Sequence, residues 1–339
     1  TPEVLTAIKR DNISLDVYHD LLKRFVNAGI ATYTDHLIGL PGESLDSFLE
    51  SIDAIISHGQ YEELRFWNTY ILPNAELADP DYRRKHGIES VEIPYVLPFV
   101  PAWEPVDGIR ENLELIVATD SMPRSDWVRM RKLAWLTQIL YYGKFMQLPL
   151  LLVQALAKGN GDSEPLRHRE LLEIFAEEPL PPNIQVLAYL RNLLHQKTQD
   201  MLAGRTEFIQ GKEPSGTIAT WLPTPIYVIT ELLSSKWLNL AYSESHALID
   251  QLLRRRGLSL PPGLLAESML LAQAIFQSSV PDFRFELTLS YNLWECYQQI
   301  ITGQDVTLKP GRWRLTRSPE DTMGQLHIHE EKLEEAGRR

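Results

Sequence analysis

Of the 339 residues only one is a cysteine, Cys296. A lone thiol excludes a disulfide scaffold, and it excludes an all-cysteine zinc site or an iron–sulfur cluster built from this chain alone. Positive charge is also short: 33 Lys and Arg stand against 45 Asp and Glu, for a formal charge of −12. A general nucleic-acid binder needs basic surface to displace counterions, so that class is set aside. Long apolar runs are missing too. The most apolar stretch, Ala134 to Leu156, is interrupted by Gln138, Lys144, Gln147 and Pro149, and reads as a core or dimer helix, not a bilayer span. No charged-then-apolar leader follows Thr1, which predicts a cytoplasmic chain. What is plentiful is apolar residue, 44% of the chain. That excludes bulk disorder and, at this length, supports two domains with a real core.

The first 75 residues alternate helix and strand. Asn12 or Ser14 can cap a helix whose apolar positions Tyr18, Leu21, Leu22, Phe25 and Val26 share one face, with Gly29 placed to end it. A β-rich run from Ile30 to Ile38 stops at Gly39-Leu40-Pro41-Gly42-Glu43. A second amphipathic helix follows, with Leu45, Phe48, Leu49, Ile52, Ile55 and Ile56 on one face and Gly59 closing it. A second strand, Leu64 to Leu72, ends at Pro73. This is the length of a βαβ unit, so the two strands are predicted to be parallel, with a right-handed crossover.

In parallel α/β folds ligands bind beyond the carboxyl ends of the strands. Both informative segments sit there: Gly39 to Glu43, and Leu72-Pro73-Asn74. Two positions without a Cβ let backbone approach a ligand closely, and Glu43 and Ser44 lie where a carboxylate complements the next helix's dipole. The same residues also suit a plain tight turn with Glu43 as a cap. No Lys-Ser/Thr pair follows Gly42, so this is not a Walker loop.

Several segments together resemble a radical SAM enzyme. They are Pro2-Glu3-Val4-Leu5 through Ile8-Lys9-Arg10, Gly29-Ile30, Thr34-Asp35-His36-Leu37-Ile38 running into Gly39-Leu40-Pro41-Gly42-Glu43-Ser44, Phe48, and Tyr70-Ile71-Leu72-Pro73-Asn74-Ala75-Glu76-Leu77. The subgroup most similar carries a cobalamin-binding domain ahead of its barrel. The resemblance covers residues 1–80, with a fainter echo at Glu114 to Thr119 and Trp127. It implies an α/β fold: the C-terminal half of a radical SAM (partial TIM-type) barrel, followed by a mainly helical α+β domain. In such enzymes a 4Fe–4S cluster on a CxxxCxxC loop reductively cleaves S-adenosylmethionine to a 5′-deoxyadenosyl radical, and an electron donor reduces the cluster. By resemblance, Gly39, Leu40, Pro41, Gly42 and Glu43 pack against the adenosine, Ile71 and Leu72 contact the adenine, and Arg10 approaches the cofactor's carboxylate. Arg10 at a helix end also has an ordinary explanation in the helix dipole.

The departure is the missing CxxxCxxC. This predicts a C-terminal portion of a larger enzyme, its cluster and cobalamin ligands lying elsewhere, which methylates or rearranges an unactivated carbon of a small-molecule or peptide substrate. The alternative is a non-catalytic relative serving as a binding or scaffold protein. Half a barrel leaves strand edges unpaired, so the chain by itself is predicted to be poorly soluble.

The resemblance implies a barrel half with a Pro-rich covering loop over 1–120, and the remaining sequence reads as a mainly helical domain over 121–317 and a charged mobile tail over 318–339. Pro80, Pro94, Pro98, Pro101 and Pro105 predict a long covering loop over 80–112 without helix, in which Tyr95, Phe99 and Trp103 either line a cavity or pack the loop down. Helices are predicted from Pro123 onward (Ser125 a candidate cap; Trp127, Met130, Leu133 or Ala134, and Leu140 a core stripe), between Leu166 and Ala203, and across Ile226–Arg256, Leu264–Phe276 and Leu293–Ile301. Strands are predicted at residues 283–289 and near Trp313–Leu315, and a linker at residues 158–166. Arg254-Arg255-Arg256 fits a helix terminus better than a phosphate site. His327-Ile328-His329-Glu330 lacks the supporting shell a metal site requires, and Ser243-Glu244-Ser245-His246 lacks the motif of a nucleophile triad.

Overall fold

The computed structural model describes residues 2–100, 111–159, 164–212, 219–280, 282–317 and 328–333. Pro101, Trp103, Pro105 and His327 lie outside them, as do Asn160 to Ser163 of the linker. A short helix α1 (Pro2–Ala7) precedes α2 (Leu15–Asn27), whose N-terminus is capped by the Ser14 hydroxyl accepting from the Val17 N–H. Then come β1 (Tyr33–Ile38), α3 (Leu45–Ser57) and β2 (Glu63–Asn68). β1 and β2 pair in parallel from Tyr33 opposite Glu63 to Ile38 opposite Asn68, as the βαβ spacing requires. Phe48, Leu49, Ile52 and Ile56 of α3 are buried, and Phe48 packs edge-to-face with His36 and at a tilt against Phe66. Alternation therefore sends His36, Leu64 and Phe66 toward α3 and Tyr33, Asp35, Arg65 and Trp67 to the opposite face.

Past β2 the architecture leaves the barrel pattern. β3 (Tyr70–Ile71), β4 (Glu89–Pro94) and β5 (Asn112–Ala118) form an antiparallel sheet in the order β3-β5-β4. No closed barrel forms among the described residues. Thr69 joins the two sheets: its N–H donates to the Ile38 carbonyl at 3.0 Å, and its own carbonyl accepts from the Ile116 N–H at 3.1 Å. The covering loop expected over 80–112 is corrected here. It contains helix α4 (Pro80–Lys85) and strand β4, because Pro80 sits in the first turn, where no N–H is needed, and Asp79 caps it.

α5 (Arg124–Thr137) continues as a π-helical turn, Gln138–Tyr142, and turns by 87° into α6 (Gln147–Leu156). This bent run contains the most apolar stretch, which is core: Trp135, Tyr141, Leu150 and Leu152 are all fully buried. No single helix among the described residues is long and apolar enough to cross a membrane. Ser125 is inside α5; the capping position is Pro123. Next are α7 (His168–Ala176), α8 (Val186–Leu202), a hairpin of β6 (Ile209–Lys212) and β7 (Ala219–Leu222) that the sequence patterns did not reveal, α9 (Thr224–Ser234), α10 (Leu238–Arg255) and α11 (Leu264–Gln277). The helices expected across Ile226–Arg256 are α9 and α10. β8 (Phe285–Tyr291), α12 (Leu293–Ile301), β9 (Pro310–Arg317) and β10 (His329–Lys332) complete the chain, with sheet order β10-β9-β8. Residues 329–332, expected in a mobile tail, are therefore an edge strand, and the Glu330 carboxylate caps α12 by accepting from the N–H groups of Trp294 and Glu295. One buried apolar cluster runs from Ile38 through α5 to Leu315.

Candidate functional site at the carboxyl end of the first parallel strand

Gly39 and Gly42 both adopt left-handed backbone, at φ +100° and +89°, which explains glycine at these two positions. Between them Leu40 and Pro41 make a tight turn closed by the Glu43 N–H donating to the Leu40 carbonyl at 3.2 Å. Gly39 backs onto β5: a Cβ there would stand 3.5 Å from the Ile116 carbonyl oxygen. The exposed Gly42 N–H donates to the Ser121 hydroxyl at 3.1 Å, and Thr119 and Ser121 share a hydroxyl contact at 3.2 Å. The loop is thus held from below by the β5–α5 turn, some of whose backbone and hydroxyl groups converge on it.

The helix cap is Ser44, whose hydroxyl accepts from the Ser47 N–H in a reciprocal capping box. Glu43 is released from that duty. Its carboxylate is buried, with Oε1 3.2 Å from His36 Nε2 and Oε2 without a partner. A buried carboxylate oxygen without a donor is costly. It is a polar group to which a hydroxyl or amine of a bound molecule would be complementary.

Ile71 and Leu72 divide their roles. Ile71 is inside a small cluster with Ile88 and Ile116, so Ile116 touches both halves of the expected site. Leu72 is 57% exposed, at the start of a turn in which Asn74 takes φ +68°. Arg10 is exposed, just beyond α1, which is held by the Tyr82 hydroxyl donating to the Ala7 carbonyl and by the Lys9–Glu76 pair; no hydrogen bond or ion pair joins its guanidinium to residues 39–43 among the described residues. His36, Ile116 and Ser121 were not singled out from sequence. His36 stands two residues before Ile38 within the quoted motif, but Ile116 and Ser121 join from about 80 residues downstream through tertiary pairing alone.

The other candidates resolve into structural roles. Arg254, Arg255 and Arg256 each reach a carboxylate, on Asp250, Glu178 and Glu170. Glu244 is buried and accepts from the N–H groups of Gln185, Val186 and Leu187, capping α8. Cys296 is buried, and burial pushes its thiol up to about 12. Among the described residues no three His, Cys, Asp or Glu side chains are grouped to hold a metal.

No family model matches the chain. It is 36% identical over 143 residues to the cobalamin-dependent radical SAM methyltransferase TokK of Streptomyces tokunonensis. It is 33% identical over 141 residues to the 2-(S-pantetheinyl)-carbapenam-3-carboxylate methyltransferase of Streptantibioticus cattleyicolor. Each match takes in 42% of this chain, and the chain spans about a fifth of the length of these curated relatives. The similarity supports kinship with the cobalamin-type radical SAM enzymes over that part of the chain.

Proposed function

We propose that this chain is the C-terminal part of a cobalamin-dependent radical SAM methyltransferase, with residues 1–120 its half-barrel and the loop after β1 its cradle for S-adenosylmethionine. The reading is carried by the relatives' identity over 42% of the chain, taken with a loop in the same chain built for close backbone approach. Gly39 and Gly42 sit in left-handed conformations, Ile116 walls the loop, and the unpartnered Oε2 of Glu43 lies beneath it. In this reading backbone of Gly39 to Glu43 orients the adenosine, Leu72 supplies exposed apolar surface beside it, and His36 holds Glu43 in place. S-adenosylmethionine bound there, with a reduced 4Fe–4S cluster, would supply the radical chemistry. The cluster does not fit this chain's own residues, whose single cysteine is buried far downstream; its ligands belong to a part of the enzyme outside this sequence.

The direct test is the coding sequence ahead of Thr1, where a CxxxCxxC is expected about 90–110 residues upstream, the span of the missing barrel strands. An open reading frame without it would refute the proposal. In the full-length protein, Gly39→Val is expected to weaken S-adenosylmethionine binding at least about tenfold (~1.4 kcal/mol) with the cluster's absorbance unchanged. Equal binding by the variant would remove the loop from the site.

A further inference from the structure

Three contacts fix which side of α2 turns inward. Leu22 is buried, the Tyr18 hydroxyl meets the Thr34 hydroxyl of β1 at 2.5 Å, and the His19 ring stacks on His58, just beyond α3, with ring centres 3.4 Å apart. The side left outward carries a second apolar row at four-residue spacing. Val17, Leu21 and Phe25 are 48%, 37% and 39% exposed, and exposed Ile13 extends the row past the Ser14 cap. Residues four apart on a helix stand one above another, so these side chains form a continuous strip. An apolar strip left facing water marks a contact surface.

The charges beside the strip name the partner. The neighbouring four-residue row is Asp16, Asp20 and Arg24, with Lys23 less than one turn beyond Asp20, and all four are exposed. The border is therefore acidic along the first half of α2 and basic along the second, and Asp20 and Arg24 already attract each other within the helix at 2.5 Å. Turning a second copy end for end about Leu21 sets Val17 opposite Phe25 of the other helix and Leu21 opposite Leu21. It also brings Asp20 beside Arg24 of the other copy, twice over by symmetry. A pattern that complements itself on reversal is what an isologous two-fold contact requires, and an unrelated partner has no need of it. We infer that α2 is a homodimer interface, two copies packing antiparallel across the strip of Val17, Leu21 and Phe25 with Asp20 of each set against Arg24 of the other. The strip supplies affinity, and the exposed ion pairs supply direction and register. One helix face is smaller than a standard interface, so the association is weak, with a dissociation constant of about 10 µM. The inference is independent of the S-adenosylmethionine reading, since it is read out by association alone.

Sedimentation velocity of the purified chain tests it. A dimer fraction that rises and saturates across about 1–100 µM is expected. Leu21→Glu, which sets two carboxylates against each other at the two-fold point, is expected to leave a monomer with an unchanged melting temperature, because Leu21 lies outside the core. Asp20→Arg alone and Arg24→Asp alone each place like charges across the contact, and each is expected to weaken self-association at least about tenfold. Mixed together, these two variants regain opposite signs and are expected to form a heterodimer about as tight as the unaltered dimer, which general stickiness does not produce. The full-length protein with the same substitutions is expected to repeat this mutual preference. A chain that stays monomeric, aggregates without saturating, or associates regardless of the charges on these two residues would overturn the inference. So would a monomeric full-length protein, which would assign the strip to a segment outside this sequence.

Discussion

His168 is buried on α7, its Nδ1 2.9 Å from the Tyr141 hydroxyl, and burial pushes its imidazole down to about 4. An unfolded chain takes up that proton near pH 6.5, whereas the folded chain stays neutral until about pH 4. Between these values the unfolded state binds more protons, so stability falls as the pH drops through the window and is fully present above it. The loss should be about 2 kcal/mol at pH 5, and His168→Phe should flatten it, as read from urea midpoints at pH 7 and pH 5. Glu244 gives a second expectation at this scale. Glu244→Ala strands three N–H groups at the start of α8 and should cost about 3 kcal/mol, measured by chemical unfolding. Neither role was legible in the sequence. Glu244 caps a helix that begins more than fifty residues before it, and a cap supplied from another helix leaves no local pattern.

Local patterns did reveal the elements that carry their own periodicity. α2, β1, α3 and β2 follow from apolar spacing and capping serines, and Leu293–Ile301 matches α12 residue for residue. Elements held by distant partners stayed hidden: β4 needs β5, β10 needs β9, and the four-residue strands of the β6–β7 hairpin are too short to display an alternation. One joint between elements is testable. Asp53 of α3 accepts from Arg167 at 2.9 Å and from the Arg169 N–H at 3.0 Å, fastening α3 to the start of α7. Its side chain is 13% exposed, against 80% for Asp46, which pairs with the same Arg169. Asp53→Ala should therefore destabilise by about 3 kcal/mol, whereas Asp46→Ala should stay within about 0.5 kcal/mol.

At the scale of the whole molecule, α2 buries Leu22 but leaves Val17, Leu21 and Phe25 exposed, beside exposed Ile13 and Ile30. The periodicity of this helix was readable; which part of its apolar face would find a partner was not, because that depends on neighbours in space. A contiguous apolar strip of this kind promotes association. Leu21→Lys with Phe25→Glu should shift the chain toward monodispersity in light scattering without lowering its melting temperature, and unchanged association would place the sticky surface elsewhere. Thr69 carries the last consequence. A single peptide unit is the only described backbone seam between the parallel pair and the antiparallel sheet, gripping Ile38 through its N–H and Ile116 through its carbonyl. A substitution that displaces Thr69 would therefore disturb Ile38, which precedes Gly39, and Ile116, which packs against it, and faster hydrogen exchange at the Ile116 amide would report it at the loop.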